Sequence, residues 1–325
     1  MSLCLDRGST PLVSIITNKQ LVKLVKQSYK LFFILFSNSL IYKNTQSRFH
    51  LHKTNIFYVT QLSATLKIIE IYFGGGYALK NQIEPLQHYI HQSKKIAFFG
   101  GAGVSTESGL PDYRSQEGTY TKMEEKQLNP KIRMSKRFML ENPEEFFKPR
   151  DNQTKPFIPE PNAGHRFLAE LEKQGKDVRI ITQNVDGLHQ KAGSKLVVEL
   201  HGNNRHFYCM ECGREYPYNE IPRDNTNVPR CPIDNGIIRA DVILFGENLK
   251  PGILDRAKEL IAGSDLLIIA GTSLSVYPAK TLIRHFTGSK VAVINQSPLK
   301  VKDVQVDLTI TEPVGETFSK LTVHA

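Results

Sequence analysis

The stretch FFGGAGVSTESGLPDYRS, residues 98–115, decides the fold of this 325-residue chain. It follows an apolar run, residues 96–99, that predicts a buried strand. Its glycines allow a sharp turn and a close approach to a ligand, and Ser105, Thr106 and Ser108 are of types that cap helices. A strand, a glycine turn and a helix N-terminus form an anion site that suits a pyrophosphate. The stretch therefore predicts a dinucleotide-binding unit.

The same stretch departs from the fingerprint of a dehydrogenase. Gly101 and Gly103 fit the pattern G-x-G-x-x-G, but Thr106 stands where the third glycine belongs. No acidic residue ends a clear second strand about 20 positions later, where a ribose-binding carboxylate is expected. Hydride transfer is therefore disfavoured, and a glycine turn that binds nothing is the alternative that other motifs must exclude.

Residues 101–114 closely resemble the signature of the sirtuins, the NAD-dependent protein-lysine deacylases, in their bacterial form. The resemblance runs from about residue 82 to about residue 320, and further motifs occur in the family's order, among them TQNVDGLH at 182–189 and HG at 201–202. It implies a Rossmann-like, NAD-binding domain with a small insert.

The pattern of apolar runs predicts the fold class independently of the resemblance. Continuous apolar strands at 178–181, 196–200, 266–270 and 291–295 are separated by helical patterns. Such strands are typical of an α/β, doubly wound parallel sheet that is covered on both faces. A further strand at 237–241 is expected to return the chain to this sheet.

The resemblance implies a sirtuin catalytic domain at 79–325 after an N-terminal extension at 1–78. The small domain is expected to combine a helical module with a zinc-ribbon-like segment. The core is placed at about 79–118, 162–204 and 240–325, and the small domain at about 119–161 and 205–239.

The charge distribution argues against a nucleic-acid-binding enzyme. The formal net charge is +10, but residues 1–80 hold ten Lys or Arg against two acidic residues. Residues 81–325 then carry only +2, so no phosphate-tracking surface is expected. The longest apolar run near the N-terminus, residues 31–36, is far below the roughly 20 residues of a spanning helix. No membrane role is expected, and a cytoplasmic location is predicted.

Residues 1–78 lack a readable domain pattern, which leaves two interpretations open. They are a genuine extension, or they are translated upstream sequence. In the second case the codons of Gly74, Gly75 and Gly76 would contain a ribosome-binding sequence, and the protein would start near Leu79.

Glycine and polar residues follow three of the predicted strands and gather at one edge of the sheet. The Gln, Asn and Asp at 183–186 suit ribose hydroxyls and a carboxamide, although composition alone also allows a plain turn. Arg114 is of a type that clamps phosphate. The resemblance implies that NAD is bound by Gly101, Ala102, Gly103, Ser105, Thr106, Tyr113, Arg114, Gln183, Asn184, Val185, Asp186, His201, Gly271, Thr272, Ser273 and Asn295.

His201 is the candidate base, because it ends a strand, precedes a glycine and faces the same rim as Asn184 and Asp186. His189 and His206 are the nearby competitors. The resemblance implies that the acyl-lysine oxygen attacks the ribose carbon, that nicotinamide leaves beside Asn184 and Asp186, and that His201 activates the ribose hydroxyl. The products are then free lysine and an O-acyl-ADP-ribose.

Three of the four cysteines have metal-like spacing, which favours a reducing compartment over a disulfide framework. Cys209 and Cys212 form a CxxC pair, and Cys231 follows after eighteen residues. Sirtuins with this module have a second CxxC, but here Asp234 takes the last position. A structural zinc site of three thiolates and one carboxylate is expected, and a weakened or lost site is the alternative.

The resemblance implies that an acyl-lysine protein substrate lies between two segments. An uncharged acyl group such as acetyl is favoured, because Met123 stands where relatives that remove acidic acyl groups have Arg, three positions after Tyr120. The basic run at 131–137 is a solvated helix face or, as the alternative, a substrate-docking patch. The implied peptide-binding residues are Val242, Phe245, Gly246, Glu247, Ser275, Val276 and Tyr277.

Two rival functions use the same pocket. A protein ADP-ribosyltransferase would leave ADP-ribose on protein, whereas a module that senses NAD or ADP-ribose would not turn over. Retention of Asn184, Asp186 and His201 together favours deacylation.

Overall fold

A computed structural model describes residues 75–148 and 158–323. They lie in one compact unit, Ile69–Ala325. The expectations for residues 1–78 fall outside the described residues, except that the first described helix begins at Gly75. Within the described ranges, no helix is both long and apolar enough to cross a membrane.

Six strands form a parallel sheet, which confirms the predicted doubly wound core. Their order is β3-β2-β1-β7-β8-β9, and each neighbouring pair is parallel. Every residue of the apolar run LLIIA in β7 is buried, as expected for a strand covered on both faces. The strands are β1 (Lys95–Gly100), β2 (Asp177–Thr182), β3 (Val197–Glu199), β7 (Leu266–Ala270), β8 (Lys290–Ile294) and β9 (Leu308–Ile310).

Helices cover both faces of this sheet. On one face Leu86, Leu168 and Phe318 pack against Phe98 and Ile268. On the other face the apolar side of the helix Ile253–Ala262 packs against β7 and β8. The α-helices are α1 (Gly75–Gln92), α2 (Thr119–Glu125), α3 (Pro130–Arg133), α4 (Lys136–Glu141), α5 (Pro143–Phe146), α6 (Ala163–Lys173), α7 (Leu188–Ala192), α8 (Ile253–Ala262) and α9 (Val314–Ser319).

The predicted helix N-terminus directly after the glycine turn is wrong. Two short 3-10 turns, Ala102–Val104 and Thr106–Ser108, follow β1, and neither has a side-chain cap. The hydroxyl of Ser105 is engaged elsewhere, and Gly109 takes a left-handed conformation with φ of 82° that ends the second turn. The loop therefore approaches a ligand with irregular backbone and not with a helix end.

The prediction that residues 237–241 rejoin the main sheet is also wrong. β6 (Ile238–Val242) pairs antiparallel with β4 (Gly202–Cys209), and β4 also pairs with β5 (Glu215–Tyr216). In this register Ile238 lies opposite Cys209. Ile238 is thus buried against Cys209 and Cys231, and the chain re-enters the main sheet only at β7.

Candidate active site

A cleft of about 1180 Å³ opens at the carboxyl ends of the parallel strands. It contains the loops that follow β1, β2 and β7, where the strand order changes direction. Ligands of doubly wound sheets bind at this switch point. The cleft brings together most of the residues predicted for NAD and peptide: Gly101, Ala102, Gly103, Tyr113, Arg114, Gln183, Asn184, Val185, His201, Gly271, Thr272, Ser273, Asn295, Val242, Phe245, Gly246, Glu247, Val276 and Tyr277.

Three glycines let the loops after β1 and β7 touch each other. The amide of Gly103 donates to the carbonyl of Gly271 at 2.8 Å, and the amide of Gly101 donates to the carbonyl of Ala270 at 3.1 Å. A Cβ at Gly103 would lie 2.9 Å from the Gly271 Cα, and one at Gly101 would lie 2.8 Å from the Gly271 oxygen. This glycine cradle exposes backbone to the cleft and fits a dinucleotide.

Ser105 holds the two polar residues that follow β2. Its Oγ donates to Asp186 Oδ2 at 2.7 Å and accepts from Asn184 Nδ2 at 3.0 Å. Asp186 Oδ1 accepts from the Leu188 amide at 2.9 Å. Buried Ser105 and half-buried Asp186 are absent from the cleft lining, and their hydrogen bonds orient Asn184 at its wall.

His201 lies at the end of β3, where it lines the cleft. Its Nδ1 lies 3.0 Å from the carbonyl oxygen of Gln183, which can only accept, so Nδ1 carries the proton and Nε2 is the basic nitrogen. Burial lowers the pKa of His201, although the Gln183 hydrogen bond acts to raise it. A neutral, oriented imidazole is suited to accept a proton.

Neither competing histidine lines the cleft. His189 is fully buried behind the site, with its ring centroid 4.6 Å from that of His165. His206 lies exposed on β4. The geometry therefore favours His201 as the base.

Aromatic rings cover the mouth of the cleft beside the signature loop. The ring of Tyr120 lies 4.9 Å from Tyr113 and 6.3 Å from Phe245, between centroids, and the Arg114 guanidinium lies 5.3 Å from the Tyr120 centroid. Arg114 Nη1 also donates to Ser273 Oγ at 3.3 Å. These contacts join the loops after β1 and β7 to residues 242–247, the segment that we call the peptide segment.

Two further predicted residues contact their own loops and do not line the cleft. Thr106 Oγ1 donates to the Gly103 carbonyl at 3.1 Å, and Ser275 Oγ lies 2.8 Å from Ser273 Oγ. Both residues are adjacent to cleft residues, and their hydrogen bonds stabilise the loops after β1 and β7.

Sequence reasoning missed several cleft residues. The sequence singles out Tyr120 only by its spacing to Met123, because its ring contacts are created by the fold. Gln296 and Glu312, which line the cleft beside Asn295, lie in loops whose composition gives no signal. The segment 248–252 lines it too.

The four predicted metal ligands come together at the β4–β6 hairpin. One ligand atom from each residue lies within 4.8 Å of all the others. Cys209 Sγ is 3.3 Å from Asp234 Oδ1, and Cys212 Sγ is 3.8 Å from Cys231 Sγ. Three thiols and a carboxylate at these separations suit tetrahedral zinc. Cys209, Cys212, Cys231 and Asp234 are separate from the cleft lining, which is typical of a structural site.

A glycine cradle, the side-chain amides of Gln183 and Asn184 and an oriented histidine meet at the switch point. This combination is typical of a dinucleotide-dependent enzyme of the doubly wound α/β class. The Sir2 family model matches residues 101–278. A Clostridium acetobutylicum NAD-dependent protein deacetylase is 41% identical over 240 residues, 74% of this chain and 98% of that protein. A Cutibacterium acnes NAD-dependent protein deacetylase is 44% identical over 236 residues, 73% and 96% respectively.

Solved structures agree with these relatives. A complex of Sir2 with a p53 peptide and NAD+ superimposes with a TM-score of 0.63 at 32% identity, covering 73% of this chain and 96% of that one. A Sir2 structure bound to acetylated peptide gives 0.62 at 32% identity with the same coverage. The chain belongs to the Sir2 family.

Proposed function

We propose that this chain is an NAD-dependent protein-lysine deacetylase that uses His201 as its base. The observation that carries the proposal is the orientation of His201. Its Nδ1 bonds to the Gln183 carbonyl at 3.0 Å, so the basic Nε2 is available in the cleft that the glycine cradle borders. Relatives at 41% and 44% identity are NAD-dependent protein deacetylases.

Different residues around the cleft serve in cofactor binding and in proton transfer. The glycine cradle would let a diphosphate approach the backbone closely, because no Cβ stands in its way, and Arg114 would supply the cation beside it. Bound NAD supplies an electrophilic ribose carbon and the nicotinamide leaving group. Asn184 orients the ribose, and the negative charge of Asp186 behind it stabilises positive charge that develops there. His201 accepts the ribose hydroxyl proton at Nε2.

The peptide segments lie on the opposite wall of the cleft. Phe245, Gly246, Val276 and Tyr277 all line the cleft, and we infer that an extended peptide binds between these two segments by strand addition. Two solved Sir2 structures hold a p53 peptide or an acetylated peptide. We assign an uncharged acyl group as substrate, with free lysine and an O-acyl-ADP-ribose as products. The cytoplasmic location and the absence of nucleic-acid partners stay predictions.

Zinc has a structural part in this proposal. The three thiolates and Asp234 hold the β4–β6 hairpin together, and β6 leads directly into the peptide segment. Loss of the ion would therefore loosen the peptide wall without removing the base.

Nicotinamide release from NAD tests the proposal, measured with and without an acetyl-lysine peptide for wild type and His201→Ala. We expect peptide-dependent release with equimolar deacetylated product, and loss of both in the variant. Release that leaves labelled ADP-ribose on protein would replace deacylation by ADP-ribosyl transfer. Tight NAD binding without any release would identify a sensing module.

A further inference from the structure

The Arg239 guanidinium makes its hydrogen bonds to residues 240–247, which include the peptide segment. This side chain is only 3% exposed. Its Nη1 and Nη2 donate to Glu247 Oε1 and Oε2 at 2.8 and 3.0 Å. Its remaining bonds go to the carbonyls of Ala240, at 3.2 Å from Nε, and Val242. Every one of these partners lies within residues 240–247, the segment that carries Phe245 to the cleft.

Glu247 is bonded to its own loop as well as to Arg239. Its Oε2 accepts from the Leu244 amide at 2.8 Å, and its amide donates to the Leu244 carbonyl at 3.1 Å. The Lys136 Nζ lies 3.8 Å from Oε1. Although burial acts to raise the pKa of Glu247, the bonds from Arg239 and the Leu244 amide lower it. The carboxylate is therefore ionised and engaged by Arg239, the Leu244 amide and Lys136, which leaves it poorly placed to bind a peptide directly.

The same loop is tied to the helical module by its backbone. The Phe245 amide donates to the Met134 carbonyl at 3.1 Å, and the Lys136 amide donates to the Phe245 carbonyl at 3.0 Å. The Phe245 ring then meets Tyr120. A displaced loop would break these bonds and would leave a buried guanidinium without its partner, which is strongly unfavourable.

We propose that Arg239 and Glu247 are positioning residues that fix residues 242–246 as the peptide-binding wall. The inference rests on the proposed function, and it assigns Glu247 to the shape of the wall and not to a direct peptide contact. The pair sets the affinity for the acyl peptide, while NAD binding at the glycine cradle is independent of it.

Glu247→Gln tests the pair, because it keeps the side-chain volume and removes the charge. We expect the KM for an acetyl-lysine peptide to rise about 10- to 100-fold, as small misplacements of a binding wall do. ADP-ribose affinity, measured by calorimetry, should stay unchanged. Asp307→Asn is the matched control: Asp307 also bonds a cation, Lys290, and a backbone amide, Val291, but it does not line the cleft.

A double variant separates positioning from stability. Arg239→Met combined with Glu247→Gln removes both charges and leaves no buried guanidinium without its partner. The melting temperature should therefore be higher than that of Glu247→Gln alone, while the peptide KM stays raised. A KM that recovers together with the melting temperature would overturn the inference, as would a wild-type KM in Glu247→Gln.

Binding of a fluorescein-labelled acetyl-lysine peptide, followed by anisotropy, gives the same comparison without turnover. Weaker binding by Glu247→Gln than by wild type and Asp307→Asn supports the inference. Equal binding by all three contradicts it. Wild-type protein without peptide-dependent turnover counts against the proposed function, whereas the ratio between variants decides the role of the pair.

Discussion

Ser105 shows how one hydroxyl can organise an active site from outside it. It bonds Asp186 at 2.7 Å and Asn184 at 3.0 Å while staying 2% exposed. Ser105→Ala leaves buried Asn184 and half-buried Asp186 without this partner, which costs about 1–3 kcal/mol. We expect kcat to fall about 10- to 100-fold if Asn184 loses its orientation. Nicotinamide release at saturating NAD and peptide measures the loss.

Ser108 provides the matched control for that prediction. It lies in the same loop, and its buried Oγ has no hydrogen-bond partner among the described residues. Ser108→Ala should leave kcat near the wild-type value. Equal losses in both variants would show that the loop tolerates no change, and would remove the special role of Ser105.

The lowered pKa of His201 predicts the acid limb of the pH profile. Burial lowers this pKa below 6.5, so the imidazole is neutral at pH 7 and charges only in more acidic solution. Because the neutral form accepts the proton, kcat/KM for the peptide should be flat near pH 7 and fall as the pH drops below 6.5. Steady-state rates from pH 5 to 8 measure it. A limb centred above pH 7 would contradict the assignment.

At the scale of elements, the four candidate metal ligands lie beside the paired strands β4 and β6. Gly236 is packed so tightly that a Cβ there would lie 2.7 Å from Cys209 Sγ and 2.9 Å from Asp234 Oδ1. The Gly236 amide also donates to Asp234 Oδ1 at 2.8 Å. This turn aims the carboxylate at the thiols, as a ligand requires.

Asp234 is expected to be the fourth zinc ligand. The purified protein should contain one zinc per chain, and Asp234→Ala should lose it more readily to a chelator. Asp234→Cys should retain zinc at least as tightly, since thiolate is the usual fourth ligand of such modules. Cobalt substitution checks the donor set, because the thiolate-to-cobalt absorption should increase in Asp234→Cys. Identical spectra for wild type and Asp234→Cys would show that Asp234 does not bind the metal.

The elements also show what the sequence can and cannot predict. The run LLIIA predicts β7 with the observed bounds. β6 was placed in the wrong sheet, since an apolar run carries no information about its partner. Likewise, residue types at 105–108 suggest a cap, but Ser105 bonds across 81 residues to Asp186, a contact that only the fold creates.

At the scale of the whole molecule, two histidines are buried behind the active site. His165 and His189 pack ring against ring, and His189 also meets the Phe98 edge in the sheet core. Burial lowers the pKa of His165 to about 4, with Asp186 acting to raise it and Arg166 to lower it. Burial, and then His165, lower the pKa of His189 well below its usual range. Both rings are therefore neutral in the folded protein at pH 7.

This pair predicts that acid weakens the whole fold. The unfolded chain takes up these protons near pH 6.5, whereas the folded protein resists them to much lower pH. Stability is thus complete above about 6.5 and is lost as the pH falls, on the order of 1 kcal/mol per pH unit for each histidine. Denaturant unfolding between pH 7 and 5 measures the slope. His189→Leu removes one titrating group and should flatten the slope, while His206→Gln, on the exposed face of β4, should keep it. A His189→Leu slope equal to that of wild type would assign the acid sensitivity to other groups.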